Sequence, residues 1–330
     1  MQIPEHWAEA RVVGKVKGKP RVVRRFGWSD VSAEAAQQLA EARAGQALAE
    51  LQAGRPVAPR EAKLPYGDAG LPIREQVLAR RGDLVITRNS YGAHCLNEPD
   101  VLFADLDLEP RLPFVVERAF DAVAWALGLG GLALAAWLFW HDTKLGCFGI
   151  AAGLFLPVLV VMARATLRRR PGVVARSRNA LLERVRRVAG DVPGGRFVVY
   201  ETPAGLRVLA LHATFDPRSP ATHSLFEAFG ADPAYVQMCE LQACFRARVS
   251  GKPWRMGVRH IRPRPGVWPV HPDRLATREH WIAEYEAIAA RHAACRFREE
   301  IGTGRVHARC AEVQRVHDEL SRARSGLPIA

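Results

Sequence analysis

The segment VLFADLDLE, residues 101–109, ends an apolar run in carboxylates spaced two apart. Side chains along a strand alternate between its faces, so Asp105, Asp107 and Glu109 would project together and repel one another. Such sets are commonly tolerated where a divalent cation sits between them, and Mg2+ typically takes one or two carboxylates plus phosphate oxygens. The chemistry this spacing suggests is Mg2+ or Mn2+ binding with a nucleotide. The plainer reading is a solvated strand end.

Two further sets have the composition of a site. In CFRARVSGKPWRMGVRHIRPRPG, residues 244–266, Arg246, Arg248, Lys252, Arg255, Arg259, Arg262 and Arg264 surround Trp254. Cations interleaved with an aromatic ring suit a phosphate backbone with a stacked base, and equally suit anionic lipid headgroups or plain solvation. His292, Cys295, His307 and Cys310 form two HxxC pairs, each about one helical turn long. Two His with two Cys is a possible tetrahedral zinc set, and core packing of two short helices is the alternative. No GxSxG elbow, Walker A loop, HExxH helix or GxGxxG fingerprint stands in the context its chemistry requires, which removes the familiar hydrolase, NTPase and dehydrogenase readings.

With hhhDhD in the first half and strand, turn, strand carrying T-x-x-G in the second, the chain resembles the catalytic core of archaeo-eukaryotic primases and primase-polymerases. The resemblance covers about residues 101–216 with the segment between the motifs removed. It implies that Asp105 and Asp107 hold metal, that Thr202, Gly205 and Arg207 in ETPAGLRVLAL contact nucleotide, and that Asp216 in TFD completes the metal site; if the chain is such an enzyme, Arg246 or Arg255 of the basic stretch would be a further phosphate contact. Arg207 stands where the family carries histidine. Arginine holds phosphate but does not reproduce histidine's proton chemistry, so an inactive or nucleotide-binding relative fits as well as a polymerase.

The elements that must position these residues are split by an apolar block. Residues 120–140, FDAVAWALGLGGLALAAWLFW, carry one charge, Asp121, and match the length needed to cross about 30 Å of hydrocarbon. After His141, Asp142, Thr143 and Lys144, residues 145–163 have no charge and end at Arg164. The reading is a hairpin of two transmembrane helices, against a buried soluble hairpin as the alternative. Trp137, Phe139 and Trp140 suit an interfacial belt, and Gly149 with Gly153 permits close approach to Gly128, Gly130 and Gly131. Arg164, Arg168, Arg169, Arg170, Arg176 and Arg178 follow the second run and only Lys144 lies in the turn, which predicts both termini on the cytoplasmic side of an inner or plasma membrane. The same arginines suit anionic lipid headgroups.

Lys and Arg number 47 against 34 Asp and Glu, a formal charge of +13. That excess fits anionic lipid or nucleic acid and does not choose between them. Charged residues throughout 1–20 argue against a secretory signal peptide, and the six scattered cysteines read as reduced thiols. Residues 11–26 alternate apolar and basic residues around a Gly-Pro turn and predict a basic β-hairpin. A helix capped by Asp30 or Ser32 follows, and the pair could either enter a DNA groove or form a solvated sheet face on its helix. A β-meander is expected over 76–108. Beyond the apolar block come a basic helix at 177–189, strands at 197–202 and 206–212, and helices at 233–248, 278–297 and 307–324. The fold expected is an α+β cytoplasmic domain interrupted by a two-helix transmembrane hairpin. Its segments are 1–54, 55–118, 119–164 and 165–330, and it serves as an anchored binding module.

Overall fold

Antiparallel pairing of β1 (His6–Val16) with β2 (Lys19–Ser29) is closed by Lys17 and Gly18, both at positive φ. A two-residue turn of this kind matches the right-handed twist of the strands, and glycine enters it without steric cost. Of the two expected caps, Ser32 starts α1 (Ala33–Gln52), its hydroxyl accepting the Ala35 N–H at 3.1 Å. The helix packs on the hairpin through small residues, Ala36, Ala40, Ala44 and Ala47. At Gly27 the approach is closest: a Cβ there would lie 2.2 Å from the Ala36 carbonyl oxygen and 2.3 Å from the Ala40 nitrogen. Gly27→Ala should therefore push α1 off the ribbon and lower stability by about 1–3 kcal/mol. Gly45→Ala, on the exposed side of the same helix with nothing within 4 Å of its would-be Cβ, should raise stability by up to about 1 kcal/mol. Denaturant melts of the two variants with opposite signs would confirm this packing, and equal signs would refute it.

The chain then alternates strands and helices: β3 (Gln76–Arg81), β4 (Leu84–Arg88), β5 (His94–Glu98), β6 (Phe103–Asp107), α2 (Phe114–His141), α3 (Thr143–Arg168), α4 (Pro171–Asp191), β7 (Arg196–Glu201) and β8 (Gly205–Ala210). After these come α5 (Pro220–Phe229), α6 (Pro233–Gln242), β9 (Phe245–Arg248), α7 (Leu275–Ala289), β10 (Arg296–Gly302) and α8 (Ala308–Ser321). This computed structural model describes all residues except 60, 62–70, 110, 111, 142 and 265, and excludes the side chains of 114, 143–149, 152 and 153.

The fold is mixed α+β and divides into two units, one of Met1–Leu106 with Val188–Ala330 and one of Asp107–Arg187. In the first unit, one four-stranded sheet has the order β10-β7-β8-β6 and the other the order β3-β4-β5-β9. Each sheet therefore joins strands from both sides of the second unit. All six residues of β8 and all five of β4 are buried, as expected of strands covered on both faces.

Two expected helices are shorter than their apolar pattern suggests. The run 233–248 stops at Gln242 because Ala243 turns left-handed, φ 48°, and residues 245–248 pair with β5 instead. The run 278–297 stops at Ala289, and residues 296–302 form β10, antiparallel to β7. In both, short alternating stretches (FRAR, RFREEIG) satisfy their backbone groups across a sheet that local periodicity does not reveal.

Within the second unit α3 runs back along α2. Arg164 Nη1 meets Asp121 Oδ1 at 2.6 Å, Arg168 Nη2 meets Glu117 Oε1 at 2.7 Å, and Pro157 lies 3.7 Å from where a Gly128 Cβ would stand. Among the described residues one helix, Val115–His141, is long and apolar enough to cross a membrane. The expected second run lies within α3, and Gly149 and Gly153, expected to face the first helix, fall outside the described side chains.

Candidate functional site

The side chains with chemical potential gather where β8, β6 and α8 meet. Arg207 is 1% exposed, in the middle of an otherwise apolar strand. Its Nε and Nη2 donate to the two carboxylate oxygens of Asp105 on the neighbouring strand at 2.7 and 3.0 Å, and Nη1 donates to the Arg248 carbonyl at 2.9 Å. A buried guanidinium requires such a fork, because an unpaired charge in the interior is far costlier than a paired one.

The network continues into α8. His317, wholly buried, faces Arg207 Nη1 at 3.4 Å and Cys295 Sγ at 3.9 Å through Nε2, and Asp318 Oδ1 at 3.2 Å through Nδ1. Its ring packs against Phe103 and Tyr200. Asp318 also accepts the Tyr200 hydroxyl at 2.6 Å and Arg324 Nε at 3.0 Å. Burial opposes ionisation of Cys295, yet His317 and Arg207 beside it hold the thiol below its usual range; burial likewise opposes protonation of His317, which Cys295 and Asp318 favour. Thiol, imidazole and carboxylate in a row are the parts of a nucleophilic site. Here Cys295 and His317 are both 0% exposed, so substrate does not reach them, and the arginines Arg207 and Arg324 are balanced by Asp105 and Asp318. The network is a charge-balanced fastening between sheet and helix, buried at Arg207, Cys295 and His317 and reaching solvent at Asp105 and Arg324.

This placement decides the fate of the expected metal set. Both oxygens of Asp105 are taken by Arg207, Asp107 is exposed at the strand end, and Asp216 Oδ1 accepts the Arg218 N–H at 2.9 Å in the turn that starts α5. Among the described residues no group of three His, Cys, Asp or Glu side chains is placed to hold a metal ion. Asp105, Asp107 and Asp216 therefore do not come together as a three-carboxylate set. Thr202 and Gly205 close the β7–β8 turn, the Thr202 hydroxyl accepting the Gly205 N–H at 3.0 Å, and Arg207 is too deep to reach phosphate.

Arg246 is turned inward to Glu75, and Arg255 is half-buried in a single 3-10 turn. The basic stretch is therefore divided: Arg259, Arg262 and Arg264 stay exposed, and Trp254 packs edge-on to Tyr91, with Lys252 over both rings. The four candidate zinc ligands are also separated in role. His292 Nδ1 lies 3.0 Å from the Ile288 carbonyl, Cys295 faces His317, His307 is the exposed residue before α8, and Cys310 donates to the Ala213 carbonyl. The five described cysteines are free and buried.

A second ionic cluster, without a sequence signature, joins β4, β5 and α7. Arg88 Nη2 and His94 Nε2 converge on one oxygen of Glu286 at 2.7 and 2.8 Å. Burial raises the Glu286 pKa, but the bonds from His94 and Arg88 outweigh it and hold the carboxyl at about 2 against an ordinary 4.5. A carboxyl lowered by folding stabilises above its unfolded value and loses that stabilisation as pH falls. The acid limb of unfolding between about pH 4.5 and 2 should thus be shallower in Glu286→Gln than in the native protein. Superimposable limbs would refute this ion pair.

No family model matches the chain, and no curated protein or solved structure matches it either.

Proposed function

We propose that the protein is a two-span membrane protein of the inner or plasma membrane whose basic α+β domain, carried with both termini on the cytoplasmic side, acts as an anchored binding or interaction module. The observation that carries this reading is the surface of the helix pair. Trp125 is 71% exposed, Leu129 62%, Trp140 88%, Leu154 66% and Met162 61%, on helices that contact each other along their length. Large apolar side chains at that density require a cover, and a bilayer supplies it for helices of this length. Pairing of Arg164 and Arg168 with Glu117 and Asp121 marks one end of the pair, and exposed Arg169, Arg170 and Arg176 follow it. Anionic headgroups are the partners these exposed cations favour, at about 1 kcal/mol each near the surface.

A charge-balanced network, with Arg207 and His317 buried, supports a module that binds through its surface better than an enzyme with a buried centre. Nucleotide or nucleic acid is a second partner class, favoured by the exposed Lys15, Lys17, Lys19 and Arg21 of the β1–β2 hairpin. The test is topology. Carbonate-resistant membrane association is expected, with a reporter inserted at residue 142 exported and a reporter after residue 330 cytoplasmic. Release by carbonate, or both reporters on one side, would overturn the two-span reading.

A further inference from the structure

Among the described residues, Arg278 is a buried arginine with neither an ion pair nor a hydrogen bond to its Nε and Nη1. α7 buries the stripe Arg278, Trp281, Tyr285 and Ala289, a cation heading an apolar row at helical spacing. Arg278 is 3% exposed, and its Nε and Nη1 are buried with no hydrogen-bond partner. Trp281, one turn further on, packs against Gly92, where an added Cβ would stand 2.1 Å from the indole. Arg88, whose Nη1 donates to the Gly92 carbonyl, stands close enough to act on Arg278 electrostatically. Burial, and then Arg88, pull the Arg278 pKa down to about 10, which leaves it charged at neutral pH.

The charges around it do not balance. Glu286 is the acid of this cluster, and Arg88 and His94 already share one of its oxygens. Asp273 lies at the surface beside His271, and Glu279 and Glu284 are on the exposed side of α7. The first turn of α7 carries no acidic residue and its start has no side-chain cap, so the partial positive charge of the helix end adds to the excess. The contrast with Arg207, whose fork is filled by Asp105, lies within the same domain. A buried, charged and unpaired guanidinium is the arrangement that a bound anion completes.

We infer that Arg278, with Arg88 close enough to act on it, forms a binding site for a small oxyanion, the phosphate or carboxylate group of a ligand. The inference is independent of the membrane reading, since it concerns the first unit alone.

The full chain in detergent provides the test, by thermal unfolding at constant ionic strength with chloride replaced stepwise by inorganic phosphate or by acetate. Ligands that bind only the folded state raise Tm saturably. Wild type is expected to show a saturable rise, with phosphate alone if the site takes phosphate and with acetate also if it takes carboxylate. Arg278→Met should lose the rise, Arg278→Lys should need at least tenfold more anion, and in chloride Arg278→Met should melt no lower than wild type. Absence of a saturable rise in wild type up to 50-fold excess over millimolar anion, about the weakest binding worth the name, overturns the site without any variant. A rise of equal size in wild type and Arg278→Met overturns it as well, because that is a general salt effect.

Discussion

Asp105→Ala is expected to lower the unfolding free energy by about 3 kcal/mol, within the 3–5 kcal/mol range for breaking a buried ion pair. The loss comes from what is left behind. Arg207 is fully enclosed between β6, β8 and α8, and without Asp105 its Nε and Nη2 face no acceptor. The opposite truncation, Arg207→Met, should cost less, because the Asp105 side chain is 34% exposed and can recover water. The double variant should be more stable than Asp105→Ala, since an apolar pair of similar volume does not bury an unmatched charge. Chemical denaturation of the four proteins gives the coupling directly. If Asp105→Ala costs less than 1 kcal/mol, the pair does not hold the sheet as described.

Leu129→Arg is expected to reduce membrane insertion by roughly a hundredfold, because an arginine at the centre of a spanning helix costs about 3 kcal/mol on insertion scales. Leu129 is 62% exposed near the middle of Val115–His141, with no acidic side chain at its level: Glu117 and Asp121 are both close to the helix start and already engaged by Arg164 and Arg168. Val115→Arg, at the helix end, should cost little because the side chain can reach the interface. The carbonate-resistant fraction of each variant measures the difference. Equal fractions would mean that lipid does not surround α2, and a native protein that stays monodisperse without detergent would say the same.

The parts of this molecule legible in its sequence are those fixed by neighbours along the chain. The β1–β2 hairpin follows from alternation and a Gly turn, α1 from its Ser32 cap and alanine stripe, and the strand at 103–107 from its apolar run. The site was legible only in fragments. The spacing singles out Asp105 as an unusual carboxylate, but its partner lies 102 positions further along the chain, after residues 107–187. Arg207 carried a signal that could have been used: a single arginine inside GLRVLAL, a strand with no polar face, must be paired wherever the strand is buried on both sides. His317 and Asp318 belong to no motif and acquire meaning only through Cys295, Tyr200 and Arg207, which three other elements supply. Strand β9 and the first two residues of β10 lie at the ends of helical apolar runs, and four to seven residues hold too little periodicity to outweigh those runs. Their pairing energy comes from β5 and β7, and local propensity does not contain it.

Both sheets take strands from either side of residues 107–187, and this sets an order of events during biosynthesis. When β6 leaves the ribosome, β8 has not been made, and β5 must wait for β9, some 150 residues later. At about 5–20 residues per second that delay is roughly 10–30 s, far longer than hairpin formation. During it the first half of the domain carries an open edge on β5 and an unmatched Asp105. The apolar helices emerge within the same interval, so their capture by an insertion machinery would precede completion of the domain. Closing either sheet then requires joining segments about 80 residues or more apart, a loop whose entropic cost grows only slowly with length. Holding the two ends of that loop close together would shorten the search for β7 and β8. The local N-terminal elements would thus form first and the two four-stranded sheets would be completed last, with the last-made α8 locking Arg207 and Tyr200 in place.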